Sequence, residues 1–206
     1  MRIVCISDTH SRHADLRLPD GDLLIVAGDF TKRGTREQIE SFDLWLGILP
    51  HRHRVVIAGN HDFAFEQVAE ARSWITNAVY LQDEEVTVEG LRIYGSPWQP
   101  RFFDWAFNLD RGPASRAVWR KVPAGVDVLV THGPPRGILD RTARGEDVGC
   151  DDLREEVLER IRPKLHVFGH IHEAHGELAM DGIRFVNACS CTLAYVASQP
   201  AIVVDL

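Results

Sequence analysis

The sequence has no long apolar run, few cysteines and no excess of positive charge. None of its hydrophobic stretches reaches the roughly 20 residues that a membrane-spanning helix needs. The amino terminus, Met1 to Cys5, passes straight into a strand pattern without the charged and apolar regions of a signal peptide. We therefore expect a cytoplasmic protein with no membrane partner. The net charge of −7 argues against nucleic-acid binding, which requires basic surface.

The four cysteines do not form a recognisable zinc or redox motif. Cys189 and Cys191 are separated by one residue, so they fit neither the Cys-x-x-Cys spacing nor a disulfide framework. Together with Cys5 and Cys150 we expect them to be buried, reduced thiols. The chain also lacks internal repeats, low-complexity segments and linkers, and its 206 residues with 45% apolar content suit a single domain over residues 1–206.

Short apolar runs alternate with helical patterns along the chain. The pattern predicts buried strands at 2–7, 22–27, 55–58, 126–130 and 165–168, and helices at 34–49, 65–74, 113–122 and 151–161. Asp151 is expected to cap the last helix. A hairpin is predicted at 85–94, turning at Glu89-Gly90, with further strands at 79–82, 177–180, 183–187 and 201–205. This order predicts a layered α/β domain in which helices cover a pair of mixed sheets.

Polar residues follow the apolar strands at five places. The run Val55 to Ala58 ends in Gly59-Asn60-His61-Asp62, and the other strand ends carry Asp8 and His10, Asp29, His132, and His170 and His172. A single strand-end aspartate or histidine is most often a turn former or a surface residue. Seven oxygen and nitrogen donors at five strand ends are unlikely to occur together by chance. Because ligands bind at the carboxyl ends of strands in α/β sheets, these residues predict a ligand site.

The types of donor restrict the ligand to a few divalent metals. Carboxylate, amide and imidazole groups without thiolate suit manganese, iron, zinc or magnesium. Seven donors are too many for one tetrahedral zinc ion, whereas two metals that share a bridging carboxylate fit the count. Metal pairs of this kind, about 3.5–4 Å apart, are suited to in-line displacement at phosphorus.

The spacing of these residues resembles a known family. The blocks Asp8-x-His10, Gly28-Asp29, Gly59-Asn60-His61-Asp62, Thr131-His132-Gly133-Pro134 and Gly169-His170-x-His172 are similar to the calcineurin-like metallophosphoesterases and occur in the family's order. The stretches 42–47, 93–98 and 186–190 resemble its short metallophosphoesterase-domain-containing (MPPED-like) subgroup. The resemblance implies an α/β fold with a four-layer β-sandwich of two mixed sheets flanked by helices.

The resemblance also implies a role for each matching position. Asp8, His10 and His172 would hold one metal, Asn60, His132 and His170 would hold the second, and Asp29 would bridge the two. A hydroxide between the metals would attack phosphorus, and His61 would donate a proton to the leaving oxygen. The expected activity is hydrolysis of small phosphodiesters or nucleotides, for example cyclic nucleotides. A non-catalytic metal-binding scaffold and a nuclease are the alternatives.

One position departs from the family pattern. In the family's protein phosphatases a second aspartate lies three residues after the bridging one and orients the catalytic histidine, whereas this chain has Lys32 there. The departure argues against a protein phosphatase and leaves the residue that orients His61 open. Asp62, next in sequence, is one candidate, although adjacent side chains often diverge. The sequence also leaves the oligomeric state open.

Several residues outside the blocks are candidate substrate contacts. Arg33, Arg36 and Arg136 could clamp a phosphate, although solvated surface arginine is the simpler interpretation of each. Trp98 and the nearby Phe102, Phe103, Trp105 and Phe107 form either a wall that stacks a nucleobase or a loop anchored to the core. His13 is a further candidate contact. Asn187 either bonds a metal-ligand side chain or forms a plain turn.

Overall fold

The computed structural model describes residues 1–206 and contains two mixed β-sheets. With strands numbered in chain order, the first sheet contains β1 (Arg2–Ile6), β2 (Leu23–Ala27), β3 (His53–Ile57), β4 (Val79–Tyr80) and β13 (Ile202–Asp205). Its spatial order is β13-β1-β2-β3-β4. Strands β1 to β4 are parallel, and β13 pairs antiparallel with β1 at the edge.

The second sheet is formed by β5 (Glu84–Val88), β6 (Leu91–Ser96), β9 (Val128–Thr131), β10 (Leu165–Phe168), β11 (Gly176–Met180) and β12 (Ile183–Asn187). Its order is β11-β12-β10-β9-β6-β5, with antiparallel hairpins at both edges and parallel strands between them. The β5–β6 hairpin turns at Glu89 and Gly90, both with positive φ, as the sequence predicts. Strands β7 (Gln99–Pro100) and β8 (Asn108–Leu109) pair separately.

The two sheets pack face to face and carry helices on their outer faces. Because successive strand residues point to opposite sides, Ile3 and Ile25 of the first sheet join Val130 and Val167 of the second in a central cluster of 17 buried residues. The alternate residues of the first sheet pack against α1 (Arg36–Ile48). The outer face of the second sheet packs against α3 (Pro113–Trp119) and α4 (Asp151–Glu156). The predicted four-layer α/β arrangement is therefore confirmed.

Two helix predictions were wrong in detail. The predicted helix over 65–74 is two short pieces, α2 (Ala64–Gln67) and a 3-10 turn at Ala71–Trp74, because Val68 adopts an extended conformation between them. The last helix is capped by Cys150 and not by Asp151, since Asp151 is already helical and the Cys150 Sγ accepts from the Leu153 N–H at 3.5 Å. A π-helical turn, Val157–Ile161, continues α4. None of the helices combines the length and apolarity required to cross a lipid bilayer.

The carboxyl ends of the parallel strands from both sheets meet at one edge of the sandwich. Ser7, directly after β1, forms a parallel bridge with Cys189, the second residue after β12. The Gly169 N–H donates to the His132 carbonyl at 2.9 Å, which joins the ends of β10 and β9. Asp29 after β2 and Asn60 after β3 both approach the His132 side chain, so all five polar strand ends predicted from the sequence converge.

Candidate metal centre

Four of the converging residues have a strained backbone. Asp8, His10, Asp29 and His170 have φ values of 52°, 44°, 52° and 69°. The left-handed region is unfavourable for side chains with a Cβ, and it persists only where the surrounding structure enforces it. Here the Asp8 and His10 N–H groups donate to the Gly28 and Asp29 carbonyls, each at 2.9 Å. Strain concentrated in one cluster of polar residues indicates a functional site.

Two glycines of the sequence blocks allow the carboxylates to come close. A Cβ on Gly59 would overlap the Asp29 Oδ1, and a Cβ on Gly169 would overlap the Asp8 Oδ2. Neither neighbour is able to withdraw, since both carboxylates are buried and bonded to adjacent backbone. Any larger residue at Gly59 or Gly169 would displace a carboxylate from the centre.

Asp8, His10 and His172 form the first donor set. The His172 Nδ1–H donates to the Thr192 carbonyl at 3.1 Å, so Nε2 is the ring nitrogen that faces the centre, and its lone pair is available there when the ring is neutral. That Nε2 lies 3.3 Å from the Asp8 Oδ1 and 3.2 Å from the His10 Nε2. The Asp8 Oδ1 is buried and has no hydrogen-bond partner. Lone pairs that converge on a buried point without a donor fit a bound cation.

Asn60 and His132, with His170 beside them, form the second donor set. The His132 Nδ1–H donates to the Ala27 carbonyl at 2.9 Å, so Nε2 is again the ring nitrogen that faces the centre. This Nε2 lies 2.8 Å from the Asn60 Oδ1 and 3.5 Å from the Asp29 Oδ1. The ring centroid of His170 lies 5.0 Å from that of His132.

Asp29 lies between the two donor sets. Its Oδ1 faces His132, while its Oδ2 is 3.9 Å from the His10 Nε2 in the first set. The Oδ1 also accepts the His61 backbone N–H at 2.7 Å, which fixes the orientation of the carboxylate. The Asp29 carboxylate therefore places one oxygen beside each donor set.

The electrostatics favour ionised carboxylates at this centre. Burial alone would raise the pKa of Asp8, but the adjacent His172 and the charges of His132 and His10 outweigh it and lower that pKa well below its usual range. Burial likewise opposes ionisation of Asp29, and the neighbouring His132 reverses the effect and lowers its pKa. The carboxylates in turn overcome burial and raise the pKa values of His132 and His172 to about 9. Buried anions of this kind are the form that binds a cation.

His10 and His170 are held as neutral imidazoles. Burial lowers the pKa of His10 to about 4, against the charges of Asp29 and Asp8. Burial and the charge of His132 lower the pKa of His170 to about 3. The neutral ring is the metal-binding form of histidine. The chemistry of both donor sets therefore fits a pair of divalent cations.

His61 faces the centre, close to the ligand atoms of His10 and Asp29, although the family resemblance implies a role for it outside the two donor sets. Its Nδ1–H donates to the Lys32 carbonyl at 2.9 Å, and its Nε2 lies 4.0 Å from the Asp29 Oδ2. The ring also contacts Trp105 edge to face, with centroids 4.4 Å apart. A backbone carbonyl at position 32 thus occupies the place of the missing family aspartate.

Asp62 does not orient His61, so that candidate was wrong. The Asp62 carboxylate turns away and accepts from the Thr31 N–H at 2.9 Å, the Thr31 hydroxyl at 2.6 Å and the Gly59 N–H at 2.8 Å. Its function is to tie the loop after β2 to the loop after β3. Adjacent side chains in this turn point in different directions.

The sequence interpretation missed the residues that hold Asp8. The Asp8 Oδ2 accepts from the Cys189 thiol at 3.2 Å and from the His170 N–H at 2.9 Å, and it lies 2.5 Å from the Ser7 Oγ. With Oδ2 surrounded in this way, only Oδ1 is available to a ligand. No local pattern reveals the Cys189 contact, since it joins residues 181 apart.

Tyr195 was also missed. It has a φ of 55° in the turn of residues 192–196, and its ring lies 4.8 Å from that of His10 and 5.6 Å from that of His172. The residue is 40% exposed, so it borders the centre on the solvent side. It lies in an irregular segment between β12 and β13, where no periodic pattern marks it.

Three of the four candidate substrate contacts make other contacts. Arg36 pairs with Glu40 at 2.7 Å and lies over the Trp74 ring. Arg136 lies 3.6 Å from Asp151, and the Trp98 Nε1–H donates to Asp83 at 2.9 Å. Local ion pairs and loop anchoring therefore hold these three side chains, and their contact with a substrate stays a prediction. Arg33 is exposed, and its backbone N–H donates to Gln38.

The aromatic loop divides into two groups. Trp98 and Phe107 contact each other and anchor the loop, as the simpler interpretation holds. Phe102 and Trp105 instead lie beside the centre, with the Phe102 ring 6.0 Å from that of His170. This side of the centre is therefore lined by aromatic surface.

Two further polar candidates have structural roles. His13 is buried under α1 against Phe42 and Trp45, away from solvent. Asn187 donates to the Ile171 carbonyl at 2.9 Å, so it supports the backbone between His170 and His172 and bonds no ligand side chain.

Comparison with known proteins agrees with this geometry. A family model described as calcineurin-like phosphoesterase matches residues 1–174, the range that contains both donor sets. The chain therefore belongs to the calcineurin-like phosphoesterase family. The family and the clustered donors support a metal-dependent hydrolase of phosphate esters.

Individual proteins of known sequence are similar to this chain over most of its length. The chain is 46% identical to human Metallophosphoesterase domain-containing protein 1, over all of this chain and 71% of the relative. It is 39% identical to a UPF0046 protein of Caenorhabditis elegans, over 93% of this chain and 56% of that protein. The crystal structure of TT1561 of Thermus thermophilus superposes with a TM-score of 0.60 at 12% identity, covering 90% of this chain and 88% of that one, and shows the shared fold.

Proposed function

We propose that the protein is a dinuclear metal-dependent phosphoesterase that hydrolyses small phosphodiesters or nucleotides, such as cyclic nucleotides. The observation that carries this proposal is that Asp29 lies between two donor sets, each with lone pairs converging on a buried point. The donors suit manganese, iron, zinc or magnesium. When bound, these cations would supply Lewis-acid charge to the phosphoryl group and the attacking water.

The chain's own residues have separate tasks in this proposal. Asp8, His10 and His172 would hold one cation, Asn60, His132 and His170 would hold the other, and Asp29 would contact both. His61, fixed at Nδ1 by the Lys32 carbonyl, delivers a proton from Nε2 to the leaving oxygen. Because Nδ1 keeps its hydrogen bond in either protonation state, the ring need not turn during turnover.

The alternatives have less support. A non-catalytic scaffold has no need of His61, which this chain retains together with all seven donors. A nuclease would need basic surface, and the net charge is −7. Lys32 in place of the second aspartate argues against a protein phosphatase. The four free, buried cysteines support a cytoplasmic location.

Metal replacement tests the proposal. The protein is stripped with a chelator and reloaded separately with manganese, zinc, iron or magnesium, and each form is assayed for metal content and for hydrolysis of bis(p-nitrophenyl) phosphate and p-nitrophenyl phosphate. We expect about two equivalents of metal per chain and greater activity on the diester. Full activity at one equivalent, or no hydrolysis with any metal, would contradict the proposal.

Variants of the donors test the assignment. Asp29→Asn and His132→Ala should lose metal as well as turnover, because each removes a group that compensates or coordinates a cation. His53→Ala is the matched control, since His53 lies at the start of β3, at the opposite end from the site, where it bonds Glu89. If either donor variant kept two metals and a normal kcat, its assignment would be wrong.

A further inference from the structure

Exposed apolar side chains are concentrated beside the candidate metal centre. We call Phe102, Phe103 and Trp105 the Trp105 wall, and Leu193, Tyr195 and Val196 the Tyr195 wall. Five of the eleven large apolar side chains exposed on the protein belong to these two walls. Exposed apolar surface clustered beside a polar centre indicates a recognition surface.

The two walls lie at opposite ends of a row of rings. The Trp105 ring contacts His61 at 4.4 Å between centroids, His61 contacts His10 at 4.7 Å, and His10 contacts Tyr195 at 4.8 Å. The Trp105 wall is therefore next to the proton donor. The Tyr195 wall is next to the first donor set.

Both walls are attached to the loops that carry the donors. The Ala106 N–H donates to the Asn60 carbonyl at 3.2 Å, which ties the Trp105 wall to the second donor set. Thr192 accepts from the His172 Nδ1–H at 3.1 Å, and its N–H donates to the Val196 carbonyl at 3.0 Å. The walls are thus held in place relative to the reacting centre, which lowers the cost of binding an organic group.

The exposed Asp104 lies within the Trp105 wall, between Phe103 and Trp105, and adds a negative charge there. Arg101 pairs with Asp110 at 2.8 Å next to the Trp105 wall. The walls therefore offer aromatic and aliphatic surface, which suits the uncharged organic groups of an ester better than additional phosphates.

We propose that the two walls bind the two organic arms of a phosphodiester, with the leaving arm on the Trp105 wall and the retained arm on the Tyr195 wall. The order follows from His61, which must face the leaving oxygen and contacts Trp105. A flat aromatic ring is the retained arm that the exposed edge of Tyr195 fits best. This inference rests on the proposed function, since it assigns substrate arms at the same centre.

Two diesters with one leaving group test the assignment. Each of p-nitrophenyl phenyl phosphate and p-nitrophenyl methyl phosphate consumes one water, breaks the bond from phosphorus to the nitrophenyl oxygen, and releases p-nitrophenolate and the monoester of the retained arm. Both substrates are monoanions, so they differ at the reacting centre only in the retained arm. We expect kcat/KM to be about tenfold higher for the phenyl ester in the unmodified, metal-loaded protein.

Single substitutions test the role of each wall separately. Tyr195→Asn removes the ring but tolerates the left-handed backbone, and it should reduce the phenyl-to-methyl ratio to about twofold or less. Tyr195→Phe should keep the ratio, because it keeps the ring. Trp105→Ala should lower kcat/KM for both esters by a similar factor and leave the ratio unchanged. Leu44→Ala, at an exposed apolar position on α1, should change neither rate.

The outcomes distinguish this inference from the proposed function. If neither ester is hydrolysed with any metal, the proposed function fails. If both are hydrolysed but the ratio is close to one, or is unchanged in Tyr195→Asn, the assignment of the arms is overturned while the phosphoesterase stands. A ratio that falls in Trp105→Ala and not in Tyr195→Asn would reverse the order of the arms.

Discussion

At the scale of single residues, His61 is held by a neutral backbone carbonyl. The Lys32 carbonyl accepts its Nδ1–H at 2.9 Å, and Trp105 packs against the ring. A side-chain carboxylate in the same place would orient the His61 ring in the same way, but it would also add a negative charge. The orientation of His61 therefore depends on the backbone of the loop after β2.

Replacing His61 by alanine should remove proton transfer and keep the metals. We expect a loss of about 10²- to 10⁴-fold in kcat for esters with poor leaving groups, such as nucleoside alkoxides, which need a proton in the transition state. Nitrophenyl esters should lose less, because nitrophenolate leaves without protonation. Kinetics on both ester types, with metal content measured, test this. Equal losses at full metal content would exclude general acid catalysis by His61.

Cys189 should affect metal affinity through Asp8. Its thiol donates to the Asp8 Oδ2 at 3.2 Å and so leaves Oδ1 available. Cys189→Ala should weaken metal binding by roughly tenfold, as is typical for groups that bond a metal ligand. Cys189→Ser, which keeps a donor, should restore most of the affinity. Chelator competition measures both variants, and equal weakening in the two would indicate a packing effect instead.

At the scale of elements, helix α1 supports the site from a distance. The Gln38 Oε1 in its first turn accepts from the Lys32 N–H at 3.1 Å and the Arg33 N–H at 3.0 Å. The Thr35 side chain caps the same turn. The helix thus holds the loop whose carbonyl orients His61.

Removing the acceptor of Gln38 should misplace His61. Gln38→Met keeps the length of the side chain but loses the oxygen, and we expect kcat for poor leaving groups to fall roughly tenfold, since small displacements of a catalytic group are costly. Gln38→Glu keeps an acceptor and should retain activity. Steady-state kinetics and metal analysis decide the matter. The idea fails if Met and Glu behave alike.

At the scale of the whole molecule, the second sheet buries a histidine apart from the metal centre. The Thr131 hydroxyl donates to the Gly133 carbonyl at 2.7 Å, so the His166 Nε2–H must donate to the Thr131 Oγ1 at 2.9 Å. The ring is fully buried, and burial lowers the pKa of His166 from 6.5 to about 3. Below pH 6.5 the unfolded chain therefore binds a proton at this position that the folded protein does not.

This linkage predicts acid sensitivity. The contribution of His166 to stability is complete above pH 6.5 and is lost progressively as the pH falls toward 3. In His166→Gln, which keeps a donor for Thr131, the loss should be absent. Between pH 7.5 and 5.0 the free energy of unfolding should shift in favour of the variant by about 2 kcal/mol relative to the original protein. Urea unfolding at both pH values measures it, and a constant difference would contradict it.

The sequence by itself determined the layered fold and the set of candidate donors. Apolar runs with strand length and the 3.6-residue stripe of α1 are local signals of burial, so the elements follow from them. The strand-end blocks from Asp8 to His172 occur in family order, and parallel strands bring their carboxyl ends to one edge. Those two facts are enough to gather Asp8, Asp29, Asn60 and His132 into one site.

Only the tertiary structure decided how these residues are held. The carbonyl of Lys32 carries no side-chain signature, so no sequence pattern marks it as the group that orients His61. The thiol of Cys189 and the ring of Tyr195 reach the first donor set from the tail of the chain, across contacts that no local period encodes. The structure also shows which carboxylates pair with the candidate arginines, Glu40 with Arg36 and Asp151 with Arg136.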